Sequence, residues 1–165
     1  MARRAIFTAA VIALCGALQF SVLHWARIAG VEPDLLLIVT VVIGLLSGPR
    51  AGMAVGFSAG VVQGAVLGRG IGVFAAAKTI VGYLVGVAGA RLYVENLFVM
   101  MGAAAAMTVA HEVIALVLTR SQGVSLGNAV VSIMLQACYN GGAALIVGAA
   151  LRRVRPLLPQ QEVRG

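Results

Sequence analysis

The chain has 165 residues, 61% of them hydrophobic and 10% charged, with a formal net charge of +7 and a mean hydropathy of +1.04. A water-soluble domain has no use for that much apolar surface, so the composition points to an all-α polytopic membrane protein of one domain, residues 1–165. The basic residues sit at the ends of apolar segments and form no continuous face, which argues against a nucleic-acid partner and makes them reporters of topology.

The opening Met1-Ala2-Arg3-Arg4 with its apolar run has the look of a secretory leader. The run continues to Trp25 with no small-x-small site before a polar start, so it reads as a retained helix. Cys15 follows bulky Leu14, where lipid attachment would want a small residue. Apolar stretches bounded by charges or turn signals give six transmembrane spans, roughly 5–26, 34–48, 51–67, 71–90, 97–119 and 126–151. Arg3, Arg4, Arg50, Arg91, Arg152, Arg153, Arg155 and Arg164 fall on one side, and Arg27, Arg69 and Arg120 on the other. By the positive-inside rule both termini are cytoplasmic.

The second and third spans are short: about 15 residues at 1.5 Å each reach ~22 Å, less than a hydrocarbon core of ~30 Å. They form a tight hairpin around Ser47-Gly48-Pro49-Arg50, where Pro49 and the glycines stop one helix and start the next. Glu32, Pro33 and Asp34 open the second span, with proline near the first turn and the acids against the positive end of the helix dipole. Simple capping accounts for Asp34 at this level.

From Gly44 the chain places glycine on every fourth residue: Gly44, Gly48, Gly52, Gly56, Gly60, Gly64, Gly68 and Gly72. In water each would cost roughly 1 kcal/mol of helix stability. In lipid the helix stays intact for want of water, and small residues let two backbones approach closely. The period exceeds 3.6, so the stripe winds around the helix and two neighbours are expected to share it. The stripe with Phe57, Pro33 and Asp34 is a candidate helix-packing or partner-docking surface.

Lys78 and Glu112 are charges well inside the expected spans, and such charges mark functional sites by default. Counting along the helices puts each about seven residues, ~10 Å, from the outer end of its span. Gln19, Gln63 and Gln136 come close to the same level. A buried polar layer of Gln19, Gln63, Lys78, Glu112 and Gln136, centred on a Lys78–Glu112 ion pair, follows; His111 points about 100° away from Glu112 and reads as an interfacial or packing residue. Paired carboxylates, a phosphate-cradling loop, metal-ligand spacing and an activated serine are all missing from the sequence, so no catalysis, cofactor or metal is expected. Cys15 and Cys138 fall mid-span and read as inert packing residues.

Taken in order, several motifs resemble those of the bacterial rod shape-determining MreD family. They are Gln19 with Ser21, Pro33-Asp34-Leu35-Leu36-Leu37-Ile38, Gly52-x-x-x-Gly56-Phe57-x-x-Gly60, Gly68-x-x-x-Gly72, Lys78-Thr79-x-x-Gly82-Tyr83-Leu84-x-Gly86, Tyr93 and Glu95-Asn96. The resemblance implies a multi-pass protein of the bacterial inner membrane whose fold is similar to the substrate-binding subunits of energy-coupling-factor transporters. It implies a non-enzymatic scaffold of the cell-elongation peptidoglycan machinery that binds MreC. Through MreC it would help activate RodA and its penicillin-binding transpeptidase, with MreB and RodZ in the same complex. The family usually carries an acid after the Gly-Phe-x-x-Gly run, where this chain has Gln63-Gly64; Glu112 falls where family members do carry acids.

Two functions are weighed. As a scaffold, the glycine-lined hairpin and the polar layer would receive the membrane helix of MreC. As a substrate-binding subunit of a vitamin transporter, the polar layer would line an outward-open pocket, although the chain has only one tryptophan and three tyrosines to wall it. A filled bundle with an apolar lateral groove would favour the scaffold.

Overall fold

The computed structural model describes residues 2–21, 31–68, 70–119 and 126–153. They form six helices: α1 (Ala2–Ser21), α2 (Leu35–Ser47), α3 (Pro49–Val66), α4 (Ile71–Gly89), α5 (Leu97–Thr119) and α6 (Leu126–Arg153). No strand occurs among the described residues. Each expected span contains one helix, and residues 22–26 of the first lie outside the described residues. Three helices are long and apolar enough to cross a membrane: α4, α5 and residues 127–153 of α6. The apolar part of α1, Ile6–Ser21, and α2 are shorter.

The bundle is built around α2, whose sequence LLLIVTVVIGLLS is apolar on every side. A helix that is hydrophobic all round belongs in a core, and Leu36 to Leu45 are buried without a break. The other five helices all pack on it. Among themselves α1 packs on α3, α3 on α4, α4 on α5 and α5 on α6, so they form an arc whose opening lies between α6 and α1.

The α2–α3 corner is a single residue. Gly48 adopts φ 84°, ψ −178°, a conformation open essentially to glycine alone, and donates its N–H to the Gly44 carbonyl at 2.8 Å. Pro49, with no N–H to leave unpaired, then takes the first position of α3.

The glycine stripe belongs to the α3–α4 contact. A Cβ placed on Gly52 would meet the Gly82 carbonyl oxygen at 2.1 Å, one on Gly56 the Lys78 oxygen at 2.2 Å, and one on Gly60 the Phe74 oxygen at 2.4 Å. On Gly64 it would meet the Ile71 Cα at 2.4 Å, and on Gly86 the Pro49 Cα at 2.4 Å. Both antiparallel helices thus advance in steps of four, and the two backbones touch without intervening side chains. Gly44 on α2 joins the same seam, its Cβ position lying 2.6 Å from Val85 Cγ1 and 3.2 Å from the Gly82 oxygen. The stripe is therefore divided between α2 and α3, and α4 meets both parts.

The structure also shortens the stripe. Gly68 and Gly72 have nothing within 4 Å of a Cβ position, so neither packs against another helix. The reason is the turn between α3 and α4: Gly68 and Gly70 take φ values of +65° and +66° to reverse the chain, and Gly72 emerges on the exposed side of α4. Near the other end of the bundle, the Arg152 guanidinium donates to the Val94 carbonyl at 2.5 Å, tying α6 to the α4–α5 connection.

Candidate functional site

At 13 residues, α2 spans only ~20 Å. Because it is enclosed on all sides, its N-terminus begins inside the bundle, where its exposed N–H groups would find no water. Side chains from neighbouring helices satisfy them. Gln19 Oε1 on α1 accepts from Leu36 N–H at 3.1 Å. Asp34 Oδ1 accepts from Leu37 N–H at 2.8 Å, an N-cap bond. Asn140 Oδ1 on α6 accepts from the Asp34 N–H at 2.9 Å. Leaving such groups unpaired in an apolar bundle would cost several kcal/mol each.

The Asp34 carboxylate sits at the positive end of the α2 dipole and is 4% exposed. Its Oδ2 accepts from Lys78 Nζ at 2.5 Å and from the Gln63 side-chain amide at 3.4 Å. Lys78 is wholly buried. The Gly56 contact fixes the Lys78 backbone against α3 and thereby sets the level from which its side chain reaches α2. Asn140 donates onward to Thr108 Oγ1 at 3.0 Å, and Thr108 donates to the Ala104 carbonyl at 2.8 Å. Contributions from all six helices thus meet at the first turn of α2.

The expected Lys78–Glu112 pair is corrected: Lys78 pairs with Asp34. Asp34 does cap α2, but inside the bundle, because the short α2 starts there. Glu112 stands beside this knot, its Oε1 3.2 Å from His111 Nδ1, with 27% of its side chain exposed. Gln136 is half-buried and makes no hydrogen bond to the described residues. Gln19 and Gln63 do enter the knot. Pro33 is buried at its edge, whereas Phe57 lies on the exposed side of α3, 57% accessible. Gly52, Gly56, Gly60 and Gly64 are covered by α4, so a partner helix has no access to that stripe.

Asn140, Thr108 and His111 were missed as members of this region. An asparagine mid-way along an apolar span was a signal for the first. The buried stripe Met100, Ala104, Thr108 and His111, at helical spacing on α5, was a signal for the other two. His111 is 1% exposed and stacks on Phe74 with ring centroids 6.4 Å apart. Among the described residues no cluster of three or more His, Cys, Asp or Glu gathers to hold a metal. Most polar groups of the knot are spent on one another, an arrangement suited to locking helices together; the buried Gln63 Oε1 is without a hydrogen-bond partner.

Beside the knot, the gap between α1 and α6 is an apolar groove of about 500 Å³. Leu18, Pro33 and Leu35 form one wall, and Cys138, Tyr139, Gly142, Ala143, Ile146 and Val147 the other. Ile146 is 77% exposed on its rim. The groove floor, Pro33 and Leu35, flanks Asp34 on both sides in sequence.

The family model described as rod shape-determining protein MreD matches residues 4–150 of the chain. No curated protein and no solved structure matches it.

Proposed function

This chain belongs to the MreD family of rod shape-determining proteins, and from that premise we propose that it is the membrane scaffold that holds MreC in the elongation machinery. Family membership and the long apolar helices make it a membrane protein with a structural part in rod-shape determination. Our proposal adds that it binds MreC directly and helps it activate RodA and its penicillin-binding transpeptidase, with MreB and RodZ in the same assembly. It adds that the chain is one six-span domain of the bacterial cytoplasmic membrane, similar to the substrate-binding subunits of energy-coupling-factor transporters. Both termini face the cytoplasm, as the arginine distribution favours.

The observation that carries the proposal is the pairing of an open apolar groove with a closed polar centre. Lys78, Gln19 and Gln63 are 0%, 5% and 8% exposed and are engaged inside the bundle, so they line no open pocket for a polar vitamin. The groove offers mostly small and aliphatic side chains along α6, faced by Leu18 of α1 and by Pro33 and Leu35 at the start of α2, a surface on which a further helix can pack. Its occupant would press on Pro33 and Leu35 and so bear on the Asp34 knot. On this reading docking falls on the α1–α6 groove, and the α3 glycine stripe, covered by α4, serves internal packing.

Co-purification in detergent with the MreC-like protein of the same source tests the proposal. Recovery of a defined complex from wild type, lost on Gly142→Leu with Ala143→Phe while the helix content and melting point hold, is the expected result. A complex indifferent to that filling would take the docking face away from this groove; no complex, with a small molecule found by mass spectrometry, would favour the transporter subunit instead.

A further inference from the structure

The surface of the α5–α6 pair carries a second cleft, away from the α1–α6 groove, of about 230 Å³. Glu112 and Leu116 of α5 line it, with Asn128, Ala129, Ser132 and Ile133 of α6. Its three polar side chains, Glu112, Asn128 and Ser132, stand in a stretch of surface that is otherwise apolar: Val113, Val117, Val130 and Val131 nearby are 48–70% exposed.

Glu112 lies seven residues before Thr119, the last residue of α5, or ~10 Å of helix. A carboxylate at such a depth is costly unless balanced by a cation. Lys78, the nearby buried cation, is bound to Asp34. Among the described residues no Lys or Arg side chain comes within ion-pair distance of Glu112; its partner is His111 Nδ1. The other ring nitrogen, His111 Nε2, is buried with no hydrogen-bond partner. Glu112 is therefore held from behind by His111 and presents the exposed part of its carboxylate at the mouth of a cleft whose other wall supplies an amide and a hydroxyl.

We infer that this cleft receives a lysine or arginine side chain carried by a membrane helix of another protein. The ammonium or guanidinium binds Glu112, with Asn128 and Ser132 accepting its remaining N–H groups. A basic side chain can reach sideways into the bundle along its apolar stem at that depth. A lipid headgroup would have to sink ~10 Å to do the same. The inference concerns a different face from the MreC groove and stands whether or not that groove binds MreC.

The full chain in phosphatidylcholine nanodiscs provides the test, with roughly 20-residue Leu/Ala transmembrane peptides as probes. One peptide carries an arginine about 10 Å from its end; the other has norleucine there, and binding is read by energy transfer between labels. The arginine peptide should bind wild type about tenfold more tightly, the gain of one good charge-assisted pair. Glu112→Gln should erase that preference, and the Asn128→Ala, Ser132→Ala pair should reduce it without touching the carboxylate. Gly142→Leu with Ala143→Phe in the other groove should leave it intact. Equal binding of the two peptides, or a preference that survives Glu112→Gln, would overturn the inference. So would loss of the preference when phosphatidylethanolamine is added to the discs, because a lipid ammonium would then be the occupant.

Discussion

Replacing Lys78 by methionine removes the one ammonium facing Asp34 while keeping much of the side-chain volume. The carboxylate is then left 4% exposed with neutral donors alone, the Leu37 N–H and the Gln63 amide. Breaking one side of a buried pair costs about 3–5 kcal/mol, because the surviving charge has neither water nor partner. Asp34→Asn strands the ammonium in the same way but retains an oxygen able to cap Leu37, so its loss should fall in the same range. The double variant Asp34→Asn, Lys78→Met leaves neither charge behind and should be no less stable than either single one. Independent sites would instead lose about 6–10 kcal/mol together. The assay is reversible unfolding in mixed micelles by titration with SDS, followed by far-UV circular dichroism. Losses that add in the double variant would refute the Asp34–Lys78 pair. A cycle of Lys78→Met with Glu112→Gln supplies the contrast and should be close to additive.

Gly56→Ala sets a Cβ 2.2 Å from the Lys78 carbonyl oxygen and forces α3 and α4 apart; it should lower stability in the same titration by about 1–3 kcal/mol or more. Gly72→Ala, with open space at its Cβ position, should change it by less than about 0.5 kcal/mol, and equal effects at both glycines would contradict the division of the stripe. Gln19→Leu leaves the Leu36 N–H buried and unpaired, for a loss of about 1–3 kcal/mol. Asn140→Leu strands the Asp34 N–H and removes the donor to Thr108 Oγ1, and should cost more than Gln19→Leu; a smaller loss would mean that α6 is not fastened through this residue. Gly48→Ala at φ 84° should cost about 1–3 kcal/mol, read as a lower thermal midpoint in detergent.

The helices were legible because each is written locally. Continuous apolar runs ended by Ser47-Gly48-Pro49, by Gly68-Arg69-Gly70 or by Arg91 leave little freedom in where a helix stops. The four-residue glycine period likewise announced a backbone contact, and the seam with Phe74, Lys78, Gly82 and Gly86 has the same period on the other helix. Pairing across the bundle was not legible to the same degree. Counting residues from helix ends places side chains correctly only when each helix begins at the end of the bundle, and α2 begins within it. Its shortness was visible, but the consequence, that Asp34 descends to the level of Lys78, depends on five other helices enclosing it. Asn140 and Thr108 were hidden for a related reason. A single polar residue in an apolar span does not reveal which partner it faces until the angular positions of the helices are known.

The α1–α6 groove as the seat of MreC can be tested most directly by site-specific photo-crosslinking in cells. A photoreactive residue in place of Ile146, on the groove rim and 77% exposed, should capture MreC. The same residue in place of Phe57, 57% exposed on α3 and outside the groove, should not. Capture from position 57 with none from position 146 would move the docking face to α3 and contradict the assignment of the groove.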